Sequence, residues 1–146
     1  MARKRKLSDK EYRRLLEFRT GLRKFLYWTE VQASKQGLTP TQHQLLLAIK
    51  GHDDGRPSIR DIADSLVLRH HSAVELVDRA EAAGLVRRVP DPQDGRRVRL
   101  RLTAIGERKL EAVTIPSLEQ LDKIGPQLRN FWGDLADPRQ ESQERE

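Results

Sequence analysis

The sequence predicts a mainly helical chain with one small β-hairpin, and three observations carry that prediction. Apolar residues recur every three or four positions along most of the chain. One stretch near residue 100 alternates with a period of two instead. Glycine and proline fall at the joins between these stretches. A length of 146 residues fits one compact domain, or a small domain with association arms.

The first helix starts at Ser8, with Glu11 three residues on as a capping box. Leu15, Phe18, Leu22 and Phe25 then mark one face, and Gly37 stops a helix expected over residues 8–36. Thr39-Pro40 opens a second helix, with proline at its first position and Leu45, Leu46 and Ile49 on one face. Gly51 to Pro57 reads as a loop. Ser58, with Asp61 three residues later, caps a third helix carrying Ile59, Ile62, Ala63 and Leu66. Val67-Leu68-Arg69 is a short break. A fourth helix runs over about residues 70–83, burying Ala73, Val74, Val77 and Ala80 and ending at Gly84. Asp78 and Arg79 are expected to brace it as a helix-face pair.

Leu85 to Val89 reads as a strand and Pro90 to Gly95 as a turn. Arg96 to Thr103 is a second strand, with Val98, Leu100 and Leu102 on one face and Arg97, Arg99 and Arg101 on the other. From Ala104 a helical stripe of Leu110, Val113, Leu121, Ile124, Leu128, Phe131 and Leu135 continues to residue 136. Pro116 and Gly125-Pro126 are expected to kink or break it into separate helices.

Charge and aromatic residues are both unevenly spread. The formal charge is +6, from 28 Lys and Arg against 22 Asp and Glu. Residues 1–7 form a basic arm, and 137–146 an acidic tail with no periodicity, which predicts disorder. Six arginines lie between Leu85 and Thr103. All two Trp, two Tyr and three Phe lie outside Ala33–Asn130. Aromatic side chains bury the most surface per residue, so the terminal segments are expected to pack on each other or on a second copy. The middle is then a small aliphatic module.

Two short helices joined by a three-residue break, followed at once by an Arg-rich hairpin, make a winged helix-turn-helix over residues 38–103. Such a module suits double-stranded DNA, because a major groove admits one helix. The outward residues near the start of the fourth helix are Arg69, His70, His71, Ser72 and Glu75, where the dipole favours phosphate, and Arg79 further along is a candidate phosphate contact. A wing over about 86–102 carries Arg96, Arg97 and Arg99, and an arginine at its tip suits a narrow minor groove. Asp94 is placed to hold the Arg96 side chain extended through a charge-assisted bond.

The runs Leu76-Val77-Asp78-Arg79, Ala82-Ala83-Gly84-Leu85-Val86-Arg87-Arg88, Asp94-Gly95-Arg96-Arg97 and Leu102-Thr103-Ala104-Ile105-Gly106 resemble the MarR family of bacterial transcriptional regulators. The motif run covers about residues 58–106, and the helix order extends the resemblance over roughly 8–136. The fold class is then mainly α with a small β-hairpin wing, an α+β winged helix-turn-helix with dimerisation helices at both termini. The resemblance implies a cytoplasmic homodimer built by residues 8–36 and 104–136, with Leu15, Phe18, Leu22, Phe25, Leu128, Phe131, Trp132 and Leu135 at its interface. It implies a palindromic operator, repression, and relief by a small aromatic or anionic effector, for which Arg23, Tyr27 and Trp28 are the candidate pocket. It assigns wing-tip contact to Arg96 and its support to Asp94. Glu75 departs from the family, where this position is often basic or small, and Ala80 replaces a frequent leucine.

Other functions find less support. Zero cysteines exclude disulfides and thiol chemistry. No apolar run reaches the ~18 residues of a membrane span, and none follows the basic start as a secretory signal would require. Adjacent helical residues such as His70 and His71 diverge, so no metal site is expected. His43 and His52 read as surface or packing residues. No nucleophile–base pair or phosphate loop suggests an enzyme, and no cofactor is expected. The remaining alternative is a nucleoid-type protein that binds DNA by charge alone, without regard to sequence.

Overall fold

A computed structural model describes residues 5–136; the side chains of Leu128 and of residues 131–136 are not described. The expectations for residues 1–4, for the tail 137–146 and for the side chains of Leu128, Phe131, Trp132 and Leu135 therefore lie outside the described residues. Five helices and one hairpin follow in the order α1 (Asp9–Lys35), α2 (Pro40–Lys50), α3 (Ile59–Leu66), α4 (His70–Ala82), β1 (Val86–Pro90), β2 (Val98–Leu102) and α5 (Ala104–Ala136).

The described chain divides into two units: a winged unit of residues 29–115, and a terminal unit formed from the described parts of the two ends, up to residue 28 and from residue 116. The helix boundaries follow from their caps. Ser8 and Glu11 exchange bonds ahead of α1, with the Ser8 N–H donating to Glu11 Oε2 at 2.8 Å. Thr39 and Gln42 do the same for α2, and Ser58 and Asp61 for α3. Gly37 and Gly84 take φ of +72° and +74°, the left-handed region that ends a helix cheaply only for glycine. α3 ends on Val67, 90 % exposed and at φ +54°. A branched residue rarely takes that conformation, and here it turns the chain between α3 and α4.

The aliphatic core forms as expected. Leu45, Leu46 and Ile49 of α2, Ile62 of α3, Val77 and Ala80 of α4, and Leu100 of β2 are all buried, joined by Ala33, Leu110 and Val113. Val74 is only half-buried. The hairpin is antiparallel, with Arg87 opposite Arg101 and Val89 opposite Arg99. β1 starts one residue later than predicted, because Leu85 is a splice point: its N–H donates to Ala80 O at 3.0 Å, and its carbonyl accepts from Thr103 N–H at 3.0 Å. The Leu100 N–H also donates to the Pro57 carbonyl at 2.8 Å, pinning the wing to the loop before α3.

Two sequence expectations fail. α5 is one helix across both Pro116 and Pro126. Each proline orphans one carbonyl, four residues back, at Ala112 and Asp122. Both residues are exposed, so water can satisfy the freed groups without ending the helix. The period-two alternation of β2 also breaks at its outer end. Val98 is 45 % exposed, whereas Arg99 is half-buried.

Candidate nucleic-acid interface

Arg69 is the N-cap of α4 and contributes no side-chain cap bond. The first N–H groups of α4 are thus left without a capping side chain, beside exposed His70 and His71. Ser72 is half-buried, and Glu75 and Arg79 are exposed. Arg96 and Arg97 are exposed at the wing. His70, Arg97 and Arg99 come together with Ser58, Arg60 and Asp61 around an open recess of about 590 Å³. The recess thus joins the start of α3, the start of α4 and the wing.

The wing is shaped by Asp91, which keeps only 9 % of its surface exposed. Its Oδ1 accepts from the N–H groups of Gln93 at 2.8 Å and Asp94 at 3.3 Å, and its Oδ2 accepts from Arg99 Nε at 2.8 Å. The Gln93 N–H first, and then the Arg99 guanidinium, hold the Asp91 carboxyl below the usual carboxylate range. Arg99 also reaches Asp61 at 3.6 Å, and His52 Nε2 approaches the same Asp61 oxygen at 3.6 Å. His52 Nδ1 meets Asp54 at 3.0 Å. This chain of charges links the loop after α2, the cap of α3 and the wing. Sequence reasoning missed it because Asp61 and Arg99 are far apart in the chain; the only local signal was an acid opening the turn at Asp91-Pro92.

Two expected pairings and one expected orientation are corrected. Asp94 does not grip the Arg96 side chain: its Oδ1 accepts the Arg96 backbone N–H at 3.1 Å, and its Oδ2 lies 3.8 Å from Arg97 Nε. It supports the turn and leaves the Arg96 guanidinium to solvent. Asp78 pairs with Arg88 rather than Arg79, at 2.7 Å, and Glu81 joins from the next turn at 2.7 Å. The Asp78 bond first, with help from Glu81, strengthens the Arg88 charge and ties β1 to α4. Arg99, read as facing outward, is engaged by Asp91 and Asp61.

The Asp91 clamp has a testable consequence. A carboxyl held low in the folded state stabilises above its unfolded pKa, about 4, and that support fades as pH falls through the lower folded value. Asp91→Asn is expected to expose the wing. Trypsin at neutral pH should cleave at Arg96 and Arg97 several-fold faster than in wild type, and stability below pH 4 should fall less steeply. Equal cleavage of the two proteins would contradict the clamp.

In the terminal unit, α1 shows apolar residues to solvent: Leu15, Leu16 and Leu22 are exposed, as is Tyr27 at 67 %. Phe18, Phe25 and Trp28 are half-buried, and Arg23 is exposed. Arg23, Tyr27 and Trp28 fall on successive turns of one helix. No group of three or more His, Cys, Asp or Glu among the described residues is placed to hold a metal ion. No helix among them is long and apolar enough to cross a membrane.

The MarR family model matches residues 36–97, from the end of α1 to the wing. A curated relative, the HTH-type transcriptional repressor MdtR of Bacillus subtilis (strain 168), is 33 % identical over 79 residues, 54 % of this chain and 50 % of that protein. The chain thus spans about half the length of the relative. Among solved structures, NadR in complex with 4-hydroxyphenylacetate superposes with a TM-score of 0.67 at 22 % identity, covering 95 % of this chain and 100 % of that one. A MepR mutant of S. aureus bound to an oligodeoxyribonucleotide gives 0.61 at 21 % identity, covering 90 % and 91 %. At such identities the likeness is one of fold, the winged helix-turn-helix.

Proposed function

We propose that the chain, whose residues 36–97 match the MarR family model, is a dimeric, sequence-specific double-stranded DNA-binding transcriptional regulator. Helix α4 enters the major groove and the wing reaches the minor groove. The observation that carries this reading is the recess shared by Arg60, His70 and Arg97, with the uncapped start of α4 on one side and the free Arg96 guanidinium at the wing tip. In this reading Arg69, His70, His71 and Ser72 meet phosphates and base edges at the start of α4, and Arg79 meets backbone phosphate. Arg97 follows the groove edge. Arg99 acts mainly by setting the wing's angle. Glu75 repels phosphate and so penalises a wrong register.

The exposed leucines of α1 support a second copy as partner. A twofold dimer presents two α4 helices to successive major grooves, about 34 Å apart. The regulator acts as a repressor, and a small aromatic or anionic effector beside Arg23, Tyr27 and Trp28 relieves it by favouring one dimer geometry.

Hydroxyl-radical footprinting on the DNA upstream of its own gene tests the arrangement. The expected pattern is two protected segments about one helical turn apart that appear together during titration. Protection that spreads evenly along the fragment as protein is added would contradict it.

A further inference from the structure

A second recess of about 490 Å³ lies at the base of the wing, entirely within the winged unit. Its walls come from the end of α2, the loop before α3, both strands and the start of α5. Lys50, Arg56, Arg87 and Arg101 face it, over a floor that includes buried Ile49 and Leu102. The acids nearby are already engaged. Glu107 accepts Lys50 Nζ at 2.9 Å. Asp54 accepts the Arg56 backbone N–H at 2.8 Å and lies 3.0 Å from His52 Nδ1.

Arg87 and Arg101 stand directly opposite each other across the hairpin. Like charges in that register weaken a β-ladder. Among the described residues, no carboxylate forms an ion pair with either of them or with Arg56. Three guanidinium groups from three segments thus converge on one cavity, and its volume lies within the range of small-molecule sites. A guanidinium offers paired donors that suit phosphate oxygens. Two linked phosphates can offer one group to Arg56 and the other to the strand pair, which a single carboxylate or phosphate does not.

We propose that this recess is a binding site for a diphosphate-bearing anion, distinct from the DNA-binding face. Bound there, the anion neutralises the Arg87–Arg101 repulsion and joins the wing base to the loop before α3.

Pyrophosphate is the probe. Thermal unfolding is followed at constant ionic strength, with sodium chloride and orthophosphate as parallel arms. Pyrophosphate should raise the midpoint saturably, and the other salts should not. Arg87→Glu places an opposite charge across from Arg101. It should fold at least as stably as wild type without ligand, and its half-saturating concentration should rise tenfold or more. Arg101→Gln should weaken the response in the same direction. Arg96→Ala, which removes only the wing-tip group, should respond as wild type does, so this result is independent of DNA binding. The proposal is overturned if chloride gives the same shift, if orthophosphate matches pyrophosphate, if both strand variants respond as wild type, or if Arg96→Ala loses the response.

Discussion

Gly106→Ala is expected to destabilise the protein by about 2–3 kcal/mol, lowering the thermal midpoint by roughly 5–10 °C. The sign is decided by two opposing effects. Alanine in a helix interior is favoured over glycine by about 1 kcal/mol. A Cβ at Gly106, however, would sit 2.2 Å from the Leu85 carbonyl oxygen and 3.1 Å from its carbon. That neighbour is backbone, and it already accepts the Thr103 N–H. Thr103 Oγ1 also donates to the Gly84 carbonyl at 2.6 Å while accepting the Gly106 N–H at 3.1 Å. The start of α5 is therefore locked against the chain leaving α4, with no side chain free to move aside. Denaturation followed by circular dichroism checks this; an unchanged or raised midpoint would contradict the close approach.

Leu22→Asp, and equally Phe25→Asp, is expected to convert the proposed dimer into a monomer that folds poorly. Leu22 is 40 % exposed in a single chain, on a helix that also exposes Leu15 and Leu16. An unpaired carboxylate buried at a twofold interface enters twice, at about 2 kcal/mol or more per copy. The dimer dissociation constant should rise by roughly 10³-fold. Light scattering at micromolar concentration gives the mass directly. A dimeric mass for the variant would place the interface elsewhere.

Local chemistry made most of the fold legible. Ser8 with Glu11 and Ser58 with Asp61 announce helix starts within three residues, and Gly37 and Gly84 announce ends. The caps observed are those bonds. The third cap, Thr39 with Gln42, escaped notice because the proline at position 40 had already explained the helix start. What stayed hidden depends on distant partners. Nothing near Arg88 says that it will reach back to Asp78 and Glu81, and nothing near Arg99 says that it will turn inward to Asp91 and Asp61. Period-two patterning marked Arg99 as outward, and a buried acid overrode it. The prolines of α5 misled for a related reason. The rule against proline within a helix assumes that the orphaned carbonyl has no other partner, and at exposed Ala112 and Asp122 water can supply one. Among the candidate interface residues, the exposed positions at the start of α4 and at the wing tip follow from pattern, while the ion pairs that hold the wing do not.

Fluorescence anisotropy on the DNA upstream of the protein's own gene tests the central claim most directly. Scrambled DNA of equal length serves as control, and wild type is titrated beside Arg96→Ala at two salt concentrations. A sequence-specific regulator should prefer its own upstream DNA by about 10³-fold or more. Arg96→Ala should cost about 1–3 kcal/mol of that binding. Equal affinity for both DNAs, with a steep salt dependence and no effect of Arg96→Ala, would contradict the account and mark a protein that binds DNA by charge alone.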